Sequence, residues 1–384
     1  MEKHGFGAAC TGKLVSTIGN RRAFVPNPLP PPNLDLNSLA TQISEASQAI
    51  GELKGIGRTI PNPNLLIRPL QRREAVSSSG MEGTYTTLSD LYLFEAGVAD
   101  AERHEDSSEV LNYVRALENA ISELGNLPIS SRLFRNAHRI LLTGVQRHRG
   151  AAVDAGELKR EQNWIGGTGR IETARFIPPP PAETADAIDD LATFINREDR
   201  AGMPPLINAG LAHYQFEAIH PFADGNGRVG RMLIALMLIE RDILPQPLLY
   251  MSPWLERHKD TYIDLMFDVS RNGAWIPWLD FFLTGVAASA VGTIKVVERL
   301  QDLQGKYRSR FQTARRSALI PRIIDMAFEQ PVMTVSEIAE RTGVSYQSAA
   351  NNVAPLVAAG LAKEIGSHPK WIVFLEILDA LRVE

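Results

Sequence analysis

Apolar and polar residues alternate with a helical period along most of the chain. This spacing runs through residues 36–53, 88–95, 110–124, 130–144, 182–196, 206–219 and 252–269, and it predicts amphipathic helices. One segment departs from the pattern. Residues 156–181 are rich in glycine, alternate apolar and polar positions at 170–177, and end in four prolines. They predict a short β-hairpin whose ladder ends at the prolines, which have no N–H to donate. The fold is therefore expected to be mostly α.

Two further segments need separate treatment. The proline-rich stretch 26–32 predicts an extended polyproline arm that lies on the domain surface, with an SH3-type ligand as the alternative. The nearly uncharged run 281–294 is too short to span a bilayer and contains several small residues. It predicts a buried helix that packs closely against its neighbours.

The last block, residues 318–384, has a pattern of its own. Residues 334–345 are typical of the first helix and turn of a helix-turn-helix, with Gly343 in the turn. Residues 346–359 predict the second helix and 361–374 a two-stranded wing. Residues 296–317, which carry many Arg, Lys and Gln, predict a solvated helical linker that leads to this winged-helix domain.

DNA binding is the obvious hypothesis for a helix-turn-helix, but the sequence supports it weakly. Residues 346–355 contain no Lys or Arg, and phosphate contacts normally dominate DNA affinity. Pro355 would also kink the second helix. The wing adds only Lys363, His368 and Lys370. A protein-interaction or intramolecular role is favoured, and DNA binding remains the alternative.

Composition and charge exclude few functions. The 384 residues carry a net charge of −4, which gives no overall attraction to nucleic acid or an anionic membrane. One cysteine excludes an internal disulfide framework and fits a reducing compartment. The first residues lack the apolar core of a signal peptide. We expect a cytoplasmic protein without a membrane partner.

The strongest chemical signal is the stretch 220–231, HPFADGNGRVGR, which lies between two predicted helices. Its glycines lie at the start of the second helix, where unpaired N–H groups and the helix dipole favour an anion. His220 has the pKa range of a general base at neutral pH, and Asp224 offers a hard oxygen ligand to Mg²⁺. Arg228 and Arg231 are three residues apart on one helix, so both are expected to neutralise a polyphosphate.

This stretch resembles the signature of Fic domain proteins, His-Pro-Phe-x-Asp/Glu-Gly-Asn-Gly-Arg-x-x-Arg, at every fixed position. The resemblance implies a helical Fic core that transfers AMP from ATP to a Ser, Thr or Tyr hydroxyl of a target protein, with His220 as the base and Mg²⁺ on Asp224. It also implies contacts to the nucleotide from Gly225, Asn226, Gly227, Arg228, Val229, Gly230 and Arg231. The motif 24–30, FVPNPLP, is similar to the N-terminal arm of one large Fic subgroup.

Residues 78–83, SSGMEG, fit the inhibitory motif Ser/Thr-x-x-x-Glu-Gly/Asn of Fic proteins whose inhibitor precedes the active site. Taken alone, such a short pattern equally describes a helix that ends at Gly80 or Gly83. With the full signature present, the resemblance implies that Ser78, Glu82 and Gly83 are inhibitory. Glu82 would pair with Arg231 and exclude the γ-phosphate. In some relatives the same glutamate supports removal of AMP.

The predicted hairpin resembles the Fic flap, whose exposed edge captures a target by β-augmentation. Residues 163–177 are therefore expected to dock the target, although residues 155–157 read Ala-Gly-Glu where the family usually has Pro-Gly-Glu. Tyr262 and Asn272 are candidates for the nucleoside side of the pocket, with aromatic core and helix C-cap as equal alternatives. His138, on an apolar helix face, is expected to be a packing residue.

The combined prediction is an N-terminal arm and inhibitory region at 1–110, a Fic core at 111–295, a linker at 296–317 and the winged-helix domain at 318–384. The predicted activity is autoinhibited protein adenylylation, including self-modification. A different phosphate donor, or a DNA-binding regulator, is the alternative. A homo-oligomer is compatible with the sequence, which does not identify the target.

Overall fold

The computed structural model describes residues 6–7, 9–59, 64–98, 104–144, 147–148, 151–152, 154–198, 202–311, 318–366 and 369–381. The described chain is mostly helical with small β-sheets, as the hydrophobic pattern predicts. The helices are α1 (Ala40–Thr59), α2 (Asn64–Met81), α3 (Leu88–Glu95), α4 (His104–Glu123), α5 (Ser131–Leu141), α6 (Pro181–Asn196), α7 (Pro205–Ile219), α8 (Asn226–Glu240), α9 (Ser252–Arg257), α10 (Lys259–Asn272), α11 (Trp275–Phe311), α12 (Leu319–Glu329), α13 (Val335–Thr342), α14 (Tyr346–Ala358) and α15 (Leu375–Ala380). The strands are β1 (Gly12–Ser16), β2 (Arg22–Pro26), β3 (Arg147–His148), β4 (Ala151–Ala152), β5 (Val332–Thr334), β6 (Lys363–Ile365) and β7 (Trp371–Val373).

Helices α7 and α8 form the centre of the molecule and pack against each other. Almost every residue of both is buried, because α2, α4 and α5 contact α8 while α6, α10 and α11 contact α7. Such all-round burial explains why both helices are apolar on every face. The short segment that joins them is the signature stretch, so it lies in the interior of the helical fold.

The N-terminal segment begins with a β-hairpin that the sequence analysis did not predict, and the proline-rich stretch 26–32 follows it without a helix or strand of its own after Pro26. Strands β1 and β2 pair antiparallel from Gly12 opposite Pro26 to Ser16 opposite Arg22. Phe24 is buried and stacks on Phe6, with ring centroids 5.4 Å apart. The apolar residues of β2 form the hairpin because their burial in the core is favourable.

The predicted flap hairpin is reduced to a single β-bridge between Ile165 and Phe176. A 3-10 turn at Ile171–Thr173 interrupts the second predicted strand. Gly166 and Gly167 both have positive φ, and a Cβ at Gly167 would lie 2.4 Å from the carbonyl oxygen of Thr173. The glycines let the chain fold tightly onto itself, and this compact turn replaces the expected ladder.

The C-terminal block contains helices and strands at the predicted places. A third strand, β5, joins the two wing strands in an antiparallel sheet of order β5-β7-β6. A capping box between Thr334 and Glu337 begins α13. Helix α12 packs against α2 and α11, and Trp371 Nε1 donates to the carbonyl of Ala96 at 3.1 Å. The block therefore shares the hydrophobic core of the remaining chain.

Helix α11 includes both the predicted apolar helix and most of the predicted linker. Val296, Val297 and Leu300 are buried, so this part of the linker is not simply solvated; residues 312–317 lie outside the described residues. Within the described chain, α11 has the length and apolar composition of a membrane span, but 56% of its most apolar stretch is buried in the fold. A core helix of a soluble fold has the same length and composition. Close packing through a small residue is seen at Gly285, where a Cβ would lie 2.6 Å from the Trp254 ring.

Candidate functional site

The signature loop is shaped by backbone conformations that few residues adopt. His220 ends α7 in the left-handed region, with φ 48° and ψ 61°, and Gly225 begins α8 at φ 76°. The Asn226 side chain closes the loop between them, because its Oδ1 accepts from Phe222 N at 2.8 Å and its Nδ2 donates to Phe222 O at 2.9 Å. The amide therefore fixes the loop, and its expected contact with phosphate stays a prediction.

His138 supports the same loop from α5. Its ring stacks on Phe222 with centroids 3.9 Å apart. Gly156 N donates to Nδ1 at 2.9 Å, so the proton must lie on Nε2, which then donates to the carbonyl of Asp224 at 2.9 Å. Burial lowers the pKa of His138 to about 4 and keeps the ring neutral. The expected packing role is thus also an orienting one.

The N-terminus of α8 presents its first N–H groups toward the pocket. The first hydrogen bond along the helix is from Val229 N to Gly225 O at 3.1 Å, which leaves the N–H groups of Asn226, Gly227 and Arg228 outside the helical ladder. A Cβ at Gly227 would lie 2.1 Å from Oε1 of Glu82. A carboxylate from α2 therefore lies directly against the predicted phosphate cradle.

Arg231 binds the predicted inhibitory motif through three hydrogen bonds. Its Nε donates to Ser78 Oγ at 2.8 Å, and its Nη2 donates to Ser78 O at 2.7 Å and to Glu82 Oε1 at 2.8 Å. Burial alone would raise the pKa of Glu82, but the charge and hydrogen bond of Arg231, together with the charges of Arg228 and His220, outweigh it and lower this pKa. Gly83, at φ 88°, turns the chain immediately afterwards. The structure thus brings together the two motifs that the sequence linked.

Arg228 has a different partner from the one we predicted. Its side chain is fully buried and forms an ion pair with Glu109 on α4, and Thr84 also donates to that carboxylate at 3.3 Å. Arg228 and Arg231 are three positions apart, but their guanidinium groups go to different helices. Of the two, Arg231 lines the pocket, and the contact of Arg228 with a polyphosphate stays a prediction.

Val229 and Gly230 also lie away from the pocket lining. Val229 is buried and its N–H belongs to the helical ladder. Gly230 permits close packing, since a Cβ there would lie 2.2 Å from Oε1 of Glu217 on α7. Gly230 thus allows α7 and α8 to approach closely, and the nucleotide contacts of Val229 and Gly230 stay predictions.

A pocket of about 170 Å³ lies beside the loop. Its polar lining comes from α2, α7, α8 and α10, and its apolar lining comes from the flap and from α10. The principal polar groups are Glu82, Glu217, His220, Arg231, Lys259 and Tyr262, and the apolar ones are Ile165, Phe176, Ile263, Met266 and Phe267. Polar groups that converge beside an apolar surface are typical of a small-molecule site.

Of the two nucleoside candidates, the structure brings only Tyr262 to the pocket. Its hydroxyl meets His213 Nε2 at 2.8 Å, and His213 Nδ1 meets Gly230 O at 2.8 Å. Because a carbonyl only accepts, His213 donates from Nδ1 and accepts the Tyr262 proton at Nε2. Asn272 is exposed at the end of α10, where its Nδ2 donates to Asp268 Oδ1 at 2.5 Å. Asn272 is not among the pocket residues.

His220 lines the pocket next to Glu82. Burial and the nearby Lys159 charge lower its pKa to about 4, whereas Glu82 and Asp224 act in the opposite direction. The imidazole is therefore neutral at physiological pH, which a general base requires.

No pattern in the sequence selects Lys159 or Glu217 as a site residue. Lys159, in a charged run before the flap, is 5% exposed and lies beneath the His220 loop. Glu217 is the only acidic residue of the apolar helix α7. That position was the only feature of the sequence that could have identified Glu217 as a candidate. Burial raises the pKa of Glu217 to about 8, and its Oε1 has no hydrogen-bond partner within the described part of the chain.

Asp224 has the properties of a single metal ligand. Its carboxylate is partly exposed in the loop before α8, and Oδ1 accepts from Gly225 N at 2.5 Å. The described residues contain no group of three or more potential metal ligands. Mg²⁺ often binds proteins through one or two carboxylates and takes its other oxygens from phosphates and water. Asp224 fits such a role.

Comparisons with known proteins agree with the signature. Residues 40–122 match the Fic/DOC family N-terminal region and residues 128–238 match the Fic/DOC family, together slightly more than half of the chain. The chain is 29% identical over 171 residues to "Protein adenylyltransferase Fic" of Drosophila virilis, covering 44% of this chain, and 30% identical to that of Drosophila mojavensis over the same length. The alignments span about a third of these relatives.

Solved structures share the fold at low sequence identity. A Fic family protein from Desulfovibrio desulfuricans G20 aligns with a TM-score of 0.57 at 17% identity, over 90% of this chain and 98% of that one. Fic-1 from C. elegans aligns with a TM-score of 0.51 at 18% identity, over 68% of this chain and 74% of that one. These similarities support the fold alone.

Proposed function

Because the chain belongs to the Fic/DOC family, we propose that it is an autoinhibited protein adenylyltransferase that uses ATP. The observation that carries the proposal is the junction at Arg231, whose Nη2 donates to the Glu82 carboxylate at 2.8 Å beside the N-terminus of α8, where an anion is favoured. A carboxylate in that position occupies the place of a phosphate group. The site therefore has both a nucleotide cradle and its competitor.

In the proposed reaction a Ser, Thr or Tyr hydroxyl of the target attacks the α-phosphorus of ATP. The new bond joins the hydroxyl oxygen to phosphorus, the bond from the α-phosphorus to the oxygen that bridges to the β-phosphate breaks, and pyrophosphate leaves. His220, neutral and adjacent to the cradle, accepts the hydroxyl proton. The N–H groups at the start of α8 and the Arg231 guanidinium stabilise the phosphate charge. Mg²⁺ on Asp224 would supply further positive charge to the phosphates.

The remaining features fit parts of this activity. The apolar pocket lining from the flap and α10 offers a surface for the nucleoside, and Tyr262 borders it. The flap, residues 163–177, is where we propose that the target docks. Only one β-bridge forms within this segment, so a target strand could pair with its backbone. We propose a cytoplasmic location, in agreement with the composition.

The activity is tested with ATP labelled at the α or γ position. We expect the α label to become covalently bound to the protein, and His220→Ala to abolish this. Bound γ label without α label would indicate phosphate transfer and would contradict AMP transfer. Mass spectrometry of a lysate treated with the Glu82→Gly enzyme would identify targets. Removal of AMP by the same site is checked by incubating the labelled protein without ATP.

A regulatory role for the C-terminal block is the second proposal. Helix α12 packs on α2, which carries Ser78, and Trp371 bonds to the chain just after α3. We therefore favour an intramolecular role for this winged-helix block over DNA binding. Salt-dependent binding of the full chain to duplex DNA would contradict this preference.

A further inference from the structure

Lys159 is a buried cation, and all its hydrogen-bond partners among the residues that the structure describes are neutral. Its ammonium donates to Asn163 Oδ1 at 2.9 Å, to Ile219 O at 3.2 Å and to His220 O at 2.9 Å. Only 5% of the residue is exposed, and burial lowers the pKa of Lys159 to about 7. Such burial of a lysine is costly without a carboxylate partner, which indicates a function at this position.

The surrounding bonds show what the lysine holds. Lys159 N donates to Pro221 O at 2.9 Å, and Asn163 Nδ2 donates to His220 O at 3.1 Å and to Phe222 O at 2.9 Å. The four consecutive carbonyls from Ile219 to Phe222 are thus all bound by two residues at the base of the flap. We call these two residues the Lys159–Asn163 pair.

These carbonyls lie where the backbone needs support. They follow the last turn of α7, whose terminal carbonyls lack helical partners and favour a cation. His220 adopts the left-handed conformation without being glycine, which costs about 1–2 kcal/mol. The Lys159–Asn163 pair offsets this cost only when the loop has its present path. Both side chains therefore favour the conformation that places the imidazole in the pocket.

We propose that Lys159 is a positioning residue for His220, which it holds through the Ile219 and His220 carbonyls. This inference rests on the proposed function, because it assigns Lys159 a part in the same reaction. It also connects the flap, where the target would dock, to the base that would accept the target's proton.

The charges that face His220 predict a specific signature. Lys159 lowers the pKa of His220, and Glu82 and Asp224 raise it. Loss of the lysine charge should therefore raise this pKa and move the acid limb of kcat/KM to higher pH. Loss of the Asn163 amide removes loop bonds but no charge, so it should lower kcat without moving the acid limb. A merely structural role would not separate the two variants in this way.

The test uses the full chain with Glu82→Gly as the active background, and AMP incorporation measured from pH 3.5 to 9, because the His220 pKa of about 4 places the acid limb below pH 5. For Lys159→Met we expect kcat to fall by about 10- to 100-fold, the range for a misplaced catalytic group, with the KM for ATP changed less than threefold. For Asn163→Ala we expect a smaller fall in kcat. Lys159→Arg keeps the positive charge, so its acid limb should lie at the same pH as that of the Glu82→Gly background. Arg160→Met is the matched control, since Arg160 is 76% exposed and pairs only loosely with Asp154 at 3.8 Å.

Thermal unfolding and ATP affinity are measured for every variant, so that a folding defect is recognised. If Lys159→Met does not fold, the test relies on Lys159→Arg and Asn163→Ala. For these two variants kcat and the pH of the acid limb are compared with those of the background enzyme. The inference is wrong if Lys159→Met keeps its kcat, if its acid limb stays in place, or if Arg160→Met loses as much activity. A background enzyme without His220-dependent labelling would instead contradict the proposed function itself.

Discussion

Replacing Glu82 should release the enzyme, and the structure gives the size of the effect. The γ-phosphate of ATP can pair with Arg231 only after the Glu82 carboxylate has moved away from that guanidinium. The side chains of Arg231 and Glu82 are only 2% and 26% exposed, so water screens their interaction little. A hydrogen bond to a charged group contributes about 1.5–3 kcal/mol. At about 1.4 kcal/mol for each factor of ten, Glu82→Gly should increase AMP incorporation by about 10- to 100-fold.

The assay is incorporation of α-labelled ATP into the protein itself at ATP concentrations below the KM. Glu82→Gln keeps the shape but not the charge, so its activity should lie between those of the wild type and Glu82→Gly. Glu256→Gln is the matched control. Its carboxylate lies 3.3 Å from where a Cβ of Gly80 would be, so it borders α2 without being a partner of Arg231.

The relative labelling of the variants shows whether Glu82 inhibits through Arg231. Equal labelling by the wild type and Glu82→Gly would refute the inhibitory assignment. An equal rise in Glu256→Gln would show that loosening α2, and not freeing Arg231, causes activation. Because the Arg231 charge lowers the pKa of Glu82, the carboxylate stays ionised at mild acidity, and lowering the pH to 6 should not relieve inhibition.

Three other predictions concern the supports of the site. Ser78→Ala removes one of the three Arg231 bonds, so labelling should rise less than in Glu82→Gly, by a few-fold. His138→Phe removes the acceptor of the Gly156 N–H and the Nε2 donor to the Asp224 carbonyl, and denaturant unfolding should show a loss of about 2–4 kcal/mol. For Glu217 the folded pKa of about 8 lies above the reference 4.5, so its stabilising contribution is complete below pH 4.5 and lost as the pH rises through 8. The Tm of Glu217→Gln should therefore fall less than the wild-type Tm between pH 5 and 9; parallel curves would contradict the assignment.

Some features of the site were predictable because they depend on short stretches of sequence. The helical period of α7 and α8 and the glycines between them determine a helix–loop–helix with a free N-terminus. The residue types from His220 to Arg231 determine that this loop can bind an anion and hold a base. Ser78 and Glu82 could be linked to Arg231 through a family resemblance, although more than 140 positions separate them.

Only the tertiary structure decided which side chain each polar group meets. Arg228 turns to Glu109 because α4 lies beside α8, and nothing in the local spacing of either helix indicates that contact. Asn226 bonds to its own loop, Asn272 lies outside the pocket, and the flap forms one bridge in place of a ladder. Lys159 appeared to be an ordinary charge in the sequence and lies under His220 in the fold. Local spacing fixes backbone periodicity, but partners distant in sequence are fixed by how the helices pack.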